Sequence, residues 1–308
     1  MSDIQLTAGL RNNLLSLQGT TAQISQTQAR LSSGKKVNSA LDNPTNFFAA
    51  QANQNKATDL TNRKDSMSQS IQMVQAANAG ITAISSLLNS AQGIATSALA
   101  TRSVTDRASF AVTYNSLMSQ VSQLASDSGY SGTNLLTGSN QTVEFSPATN
   151  SATLQIKGFT ATAKGLSIGV VGYSSSFGQA TSVSGTSIGG TNSTTVAWDD
   201  KDATNNSGIS GSSIATNAIG SASKQLESAL STLRSQSAAL SASLSVVTAR
   251  QSFTDSMINV LNTGSDNLTL ADMNQEGANM LMLQTRQSLG TSALSMASQA
   301  AQSVLKLF

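Results

Sequence analysis

The residue types that most often carry acid, base or metal chemistry are scarce in this chain. It has no Cys and no His, so thiolate chemistry, disulfides, imidazole bases and the commonest zinc ligands are all excluded. Catalysis would have to rest on Asp, Glu, Lys, Ser or Tyr, and these fall at no spacing that pairs a nucleophile with a base. The densest carboxylate group is Asp199, Asp200 and Asp202, around Lys201 and beside the single Trp, Trp198. Three carboxylates in a soft loop could hold calcium, but they lack the ligand spacing and turn glycine of a calcium loop. A solvated surface is the expectation there. Asn192-Ser193-Thr194 and Asn205-Asn206-Ser207 match the acceptor pattern for N-linked sugars. No enzyme activity, cofactor or metal is expected.

Composition narrows the class further. Of 308 residues only 10% are charged and 4% aromatic, where an ordinary soluble domain has roughly a quarter charged. Ser, Thr, Asn and Gln fill the polar positions, and a neutral polar surface suits close lateral packing of many copies. The net charge of +2 comes from scattered residues, with no basic stripe for nucleic acid. No window reaches the roughly 18 uninterrupted apolar residues of a membrane-spanning helix. The opening Met1-Ser2-Asp3-Ile4 has neither the charged start nor the apolar core of a secretory signal, so an extracellular destination would need another export route.

What remains is helical pattern, strongest at the two ends. Met280, Leu283, Gln287, Gly290, Leu294, Ala297, Ala301, Val304 and Phe308 step by three and four, and seven of the nine are apolar. Such a narrow seam wants a partner helix. At the other end Leu10, Leu14, Leu17, Thr21, Ile24, Gln28 and Leu31 repeat the spacing, and the pattern stops at Gly34, which suits a left-handed helix cap. The two seams are natural partners, parallel or antiparallel.

Between them the chain alternates long helices with one break in period. Asp42 or Asn43 followed by Pro44 starts a helix whose apolar face is Leu60, Met67, Ile71, Val74, Ala77, Ile81, Leu88, Ala91, Ala95 and Ala98. At 1.5 Å per residue it would be about 80 Å long, with Gly80 and Gly93 as costs of about 1 kcal/mol each relative to Ala. Ser103 to Asp106 caps a shorter helix with the face Phe110, Tyr114, Leu117, Val121 and Leu124. The period then falls to two at Val143 and Phe145, at Leu154 and Ile156, and at Leu166, Ile168 and Val170, which reads as short strands. A Ser, Gly, Thr and Asn-rich stretch covers 172–213. Helix resumes from Ile219 through Ala222, Leu226, Leu230, Leu233, Leu240, Leu244, Val247, Phe253, Met257 and Leu261 to a break at Asn262-Thr263-Gly264, with Asp266 opening the last helix.

Two motifs in this layout carry a family resemblance. Arg30-Leu31-Ser32-Ser33-Gly34, followed by Val37-Asn38-Ser39-Ala40-Leu41-Asp42, resembles the N-terminal signature of bacterial flagellins. Asp272 to Asn279, Gln284-Thr285-Arg286-Gln287, Ala297 to Ala300 including Gln299, and the closing Val304 to Phe308 are similar to the matching C-terminal region. The resemblance implies a mainly α fold, an elongated antiparallel helical bundle or coiled coil from both chain ends with a small β-containing insert. Its parts would be a terminal coiled-coil domain lining an inner tube (1–43 and 265–308), a helical rod domain (44–140 and 214–264) and a variable surface insert (141–213).

It also implies a function: a structural subunit of the flagellar filament, secreted unfolded through a central channel to the extracellular filament, for swimming motility. The implied partners are other copies of the chain, an export chaperone on the C-terminal helix, and the hook-associated and cap proteins. In a bacterial setting the two Asn triplets are not expected to carry sugar. A hook-filament junction protein with flagellin-like ends is the alternative. The immune-receptor pattern of many flagellins, Leu-Gln-Arg-Val-Arg-Glu-Leu-Ala, aligns here with Leu88-Asn89-Ser90-Ala91-Gln92-Gly93-Ile94-Ala95. Without its arginines and glutamate, weak receptor activation is expected.

Overall fold

The computed structural model describes residues 8–146, 152–172, 198 and 211–305. In chain order these form helices α1 (Ala8–Ser33), α2 (Pro44–Ala100) and α3 (Val104–Asp127), strands β1 (Gln141–Glu144) and β2 (Thr153–Ile156), and helices α4 (Gly211–Thr269) and α5 (Met273–Leu305). The mainly α class with a small β element is as expected. The carboxylates at 199–202 and both Asn triplets lie outside the described residues.

Helices this rich in Ser and Thr hold because the hydroxyls are satisfied locally. Thr20, Ser70, Thr82, Ser85, Thr113, Thr254 and Thr269 each donate to the carbonyl four residues earlier, at 2.8–3.0 Å. A side chain paired with its own helix needs nothing from a neighbour. Thr20, Thr254 and Thr269 are therefore buried.

The chain divides into two compact units, Met1–Asp59 with Ser256–Phe308, and Leu60–Asp255. In the second unit α2 and α4 run antiparallel. Lys64 pairs with Asp255 at 2.7 Å, Gln251 Nε2 donates to Ser68 Oγ at 2.7 Å, and Ser237 Oγ to Asn78 Oδ1 at 3.2 Å. The core between them and α3 takes Met67, Ile84, Leu88, Tyr114, Met118, Ile219, Leu226 and Leu233. The expected face of α2 is the buried one, apart from the half-buried Ile71.

The α2–α3 corner depends on Arg107. It is buried, and its Nε donates to the carbonyls of Ala98 at 3.2 Å and Thr101 at 2.9 Å, placing a cation on the open end of α2. Ser103 Oγ caps α3 by accepting from Asp106 N at 3.3 Å. The buried face of α3 is Ala111, Tyr114, Met118, Val121 and Ala125, while Phe110, Leu117 and Leu124 are only partly buried.

Three further expectations are corrected. Leu166, Ile168 and Val170 form no strand. Their segment turns, with Leu166 N on Thr162 O and Ile168 N on Ala163 O. Ser167 N donates to Lys164 O, and helix side chains take further groups: Asn115 holds Val171 at both N–H and C=O, and Gln225 accepts from Gly169 N. Groups bonded in this way are not available to a ladder. The β1–β2 hairpin does form, antiparallel with Val143 opposite Leu154. Next, α4 passes straight through Gly264 and Asp266 to Thr269. Last, Phe253 lies 58% exposed beside the buried Thr254.

Candidate assembly interface

The first unit is built on the α1–α5 pair. Arg30 Nη1 meets Glu276 Oε1 at 3.2 Å, and a Cβ placed on Gly290 would meet the Leu17 side chain at 2.9 Å. Residue 30 against 276 and residue 17 against 290 make the pair antiparallel. Gly290 lets the helices approach at Leu17, where any side chain would intrude.

On α5 the spaced positions Met280, Leu283, Gln287, Gly290, Leu294 and Ala297 are buried or half-buried, and so are Glu276, Gly277, Asn279 and Ala293. On α1 the seam is rotated from the predicted one. Leu17, Ile24 and Leu31 lie in it, but its buried members are Thr20 and Thr27, while Thr21 and Gln28 are exposed and Leu14 is 41% exposed. A hydropathy pattern selects leucines, whereas a close crossing selects small side chains. The side chains of Leu10, Ala301, Val304 and Phe308 lie outside the described residues.

The motif residues converge where the two helices join the rest of the chain. Gly34 has φ +69° and its N–H closes on Arg30 O at 2.8 Å, ending α1 in the left-handed cap. Two connectors then pair: Lys36 N donates to Thr269 O at 2.7 Å and Ala271 N to Gly34 O at 3.0 Å. Asp42 closes the outgoing connector, its carboxylate accepting from Asn38 N and Ser39 N at 3.0 Å each and from Ser39 Oγ at 3.3 Å. The Asn38 and Ser39 amides hold its pKa below the ordinary 3.8. Asn43 Oδ1, not Asp42, caps α2 by accepting from Asn46 N at 3.0 Å. On the return side Asp272 caps α5, accepting from Asn274 N and Gln275 N. Ala40 is half-buried, whereas Ser32, Gln284, Arg286 and Gln299 face solvent.

Around this frame a single chain leaves apolar surface open. Leu281, Met282, Leu289 and Met296 are 59–67% exposed, on a face of α5 other than the seam. Met282, Leu289 and Met296 repeat at a strict heptad. Among the described residues no group of acidic side chains could hold a metal ion, and no helix is long and apolar enough to cross a membrane.

The terminal helices thus keep apolar side chains exposed, Leu15 on α1 and the Met282, Leu289 and Met296 stripe on α5. Comparison with known families finds matches at both ends. Residues 7–141 match the bacterial flagellin N-terminal helical region and residues 223–308 the bacterial flagellin C-terminal helical region. The chain is 26% identical to "Flagellin FljM" of Caulobacter vibrioides and 27% to a flagellin of Brucella melitensis. Each alignment covers 100% of this chain and 99% of the relative. The chain belongs to the bacterial flagellin family. It is a structural subunit of the extracellular flagellar filament, which serves swimming motility.

Proposed function

We propose that the α1–α5 pair is the packing element of the filament's inner tube, formed by residues 1–43 and 265–308. Residues 44–140 and 214–264 form the surrounding rod, and 141–213 face outward. The observation that carries this is the heptad stripe Met282, Leu289 and Met296, exposed beside a seam already occupied by α1. A helix with one face used inside the chain and a second left open meets another copy through the second. One such non-closing contact, repeated, generates a helical polymer. Covering each exposed Leu or Met contributes roughly 1.5–3 kcal/mol.

The seam and motif residues take roles to match. Leu10, Leu14, Leu17, Ile24, Leu31, Met280, Leu283, Leu294, Ala297, Ala301, Val304 and Phe308 hold the terminal helices together and against neighbours. Arg30, Gly34, Asn38 and Asp42 hold the end of α1 and the connector that follows it. Before assembly the open stripe of α5 is the surface for an export chaperone, and at the filament ends the same contacts serve the hook-associated and cap proteins. Electron microscopy of purified chain after salt-induced assembly tests this reading. Fibres are expected from the full chain and none from one lacking residues 273–308; fibres from the truncated chain would overturn it.

A further inference from the structure

Leu41 is 96% exposed, more than any other large apolar side chain among the described residues. The chain fastens it in that position. Ser39 Oγ accepts from Leu41 N at 3.3 Å while donating to Asp42, and Asp42 N returns to Ser39 O at 3.2 Å. The other end of the loop is tied by Lys36 N and Val37 N to Thr269 O, with the Val37 side chain buried. A slack loop would fold a leucine back onto the nearest apolar surface. Here the backbone on either side of Leu41 is tied and the side chain stands in solvent.

Other large apolar side chains of the same compact unit are also open. Phe48 is 62% exposed on the first turns of α2, and Leu270 and Met273 are 46% and 48% exposed on and beside the return connector. A large apolar side chain held out in water by a hydrogen-bonded backbone, the ordering cost of that backbone already met within the chain, is the form that a binding anchor takes.

We propose that Leu41 is an anchor residue that inserts into the surface of a neighbouring copy of this chain in the filament. This rests on the filament-subunit reading above. A second copy is the occupant because the chain is a subunit of a helical polymer, in which a projection on one molecule meets a different patch on the next. The α1–α5 pair supplies the continuous contact, and Leu41 adds a point contact that fixes how one subunit is set against another.

The absence of cysteine in this chain makes the test direct. A Leu41→Cys full-length chain, labelled with a fluorophore sensitive to polarity, is mixed at a low ratio into unlabelled chain. Emission typical of water is expected from the monomer and a blue shift on polymerisation. Separately, Leu41→Asp should keep the helix content and melting profile of the monomer while raising the critical concentration for assembly about tenfold or more. Leu41→Ala, which adds no charge, should raise it in the same direction. Filaments in which the label stays in water, or Leu41→Ala and Leu41→Asp chains that assemble at the wild-type concentration, overturn the anchor and leave the filament reading intact. An unmodified chain that forms no polymer overturns both.

Discussion

Glu276 meets Arg30 through one carboxylate oxygen and has no partner for the other, Oε2, which is buried. A charged hydrogen bond in such a place contributes about 1.5–3 kcal/mol, and removing one partner leaves the other uncompensated. Arg30→Ala should therefore destabilise the first unit by more than the paired change Arg30→Ala with Glu276→Ala. Urea unfolding of the four chains in a double-mutant cycle measures the coupling, and strict additivity would mean that the contact contributes nothing.

Asp42 is the second residue with a decided role. Its pKa is lowered in the folded chain, so its contribution is complete above the unfolded value and is lost as pH falls through the lower, folded one. The amide shifts of Asn38 and Ser39 should titrate together with a midpoint below 3.8, and this titration should vanish in Asp42→Asn. A midpoint at or above the ordinary value would remove Asp42 from that role.

At the scale of elements, two glycines of α2 that look alike in the sequence behave differently. Gly93 is exposed with open space where a Cβ would stand, so Gly93→Ala should stabilise the helix by about 1 kcal/mol. A Cβ on Gly80 would lie 2.3 Å from Ser128 Oγ and 2.7 Å from Leu136 Cδ1. Gly80→Ala should therefore destabilise despite the better helix propensity, because the end of α3 and the loop after it press on that turn. Opposite shifts in melting temperature are expected, and shifts of the same sign would show that the contact at Gly80 relaxes without cost.

The same contrast explains how far the helices could be read from the sequence. Long elements such as α2 announce themselves by period, and Asn43-Pro44 and Gly34 mark ends by their own chemistry. The rotation of the α1 seam onto Thr20 and Thr27 was not legible, since a hydropathy pattern does not register a threonine that satisfies itself on its own helix. Nor did Gly264 reveal that α4 continues. In isolation it punctuates, but within a packed helix its cost of about 1 kcal/mol is absorbed.

For the whole molecule, the uneven core decides behaviour. Among the described residues the first unit buries only Val37, Ala50, Ala57 and Leu283 as apolar side chains, whereas the second buries Tyr114, Trp198 and most of the large aliphatics. The monomer should melt in two calorimetric transitions, the first unit at the lower temperature. Under the proposed packing of neighbours on the α5 stripe, the lower transition should move up or merge in the polymer. A monomer with a single cooperative transition would show that the first unit needs no neighbours.

The sequence by itself determined most of the helical spans, the hairpin at Val143 and Leu154, the lack of thiol and imidazole side chains, and the family through its two terminal motifs, because period, caps and composition are local properties. Tertiary structure alone decided that the α1 seam turns onto Thr20 and Thr27, that Arg30 meets Glu276 across 246 residues, that the segment around Ile168 turns instead of pairing, and that Trp198 packs on Tyr114 at 5.3 Å. These depend on what a residue touches after the chain has closed on itself, and no local pattern encodes a contact between residues so far apart.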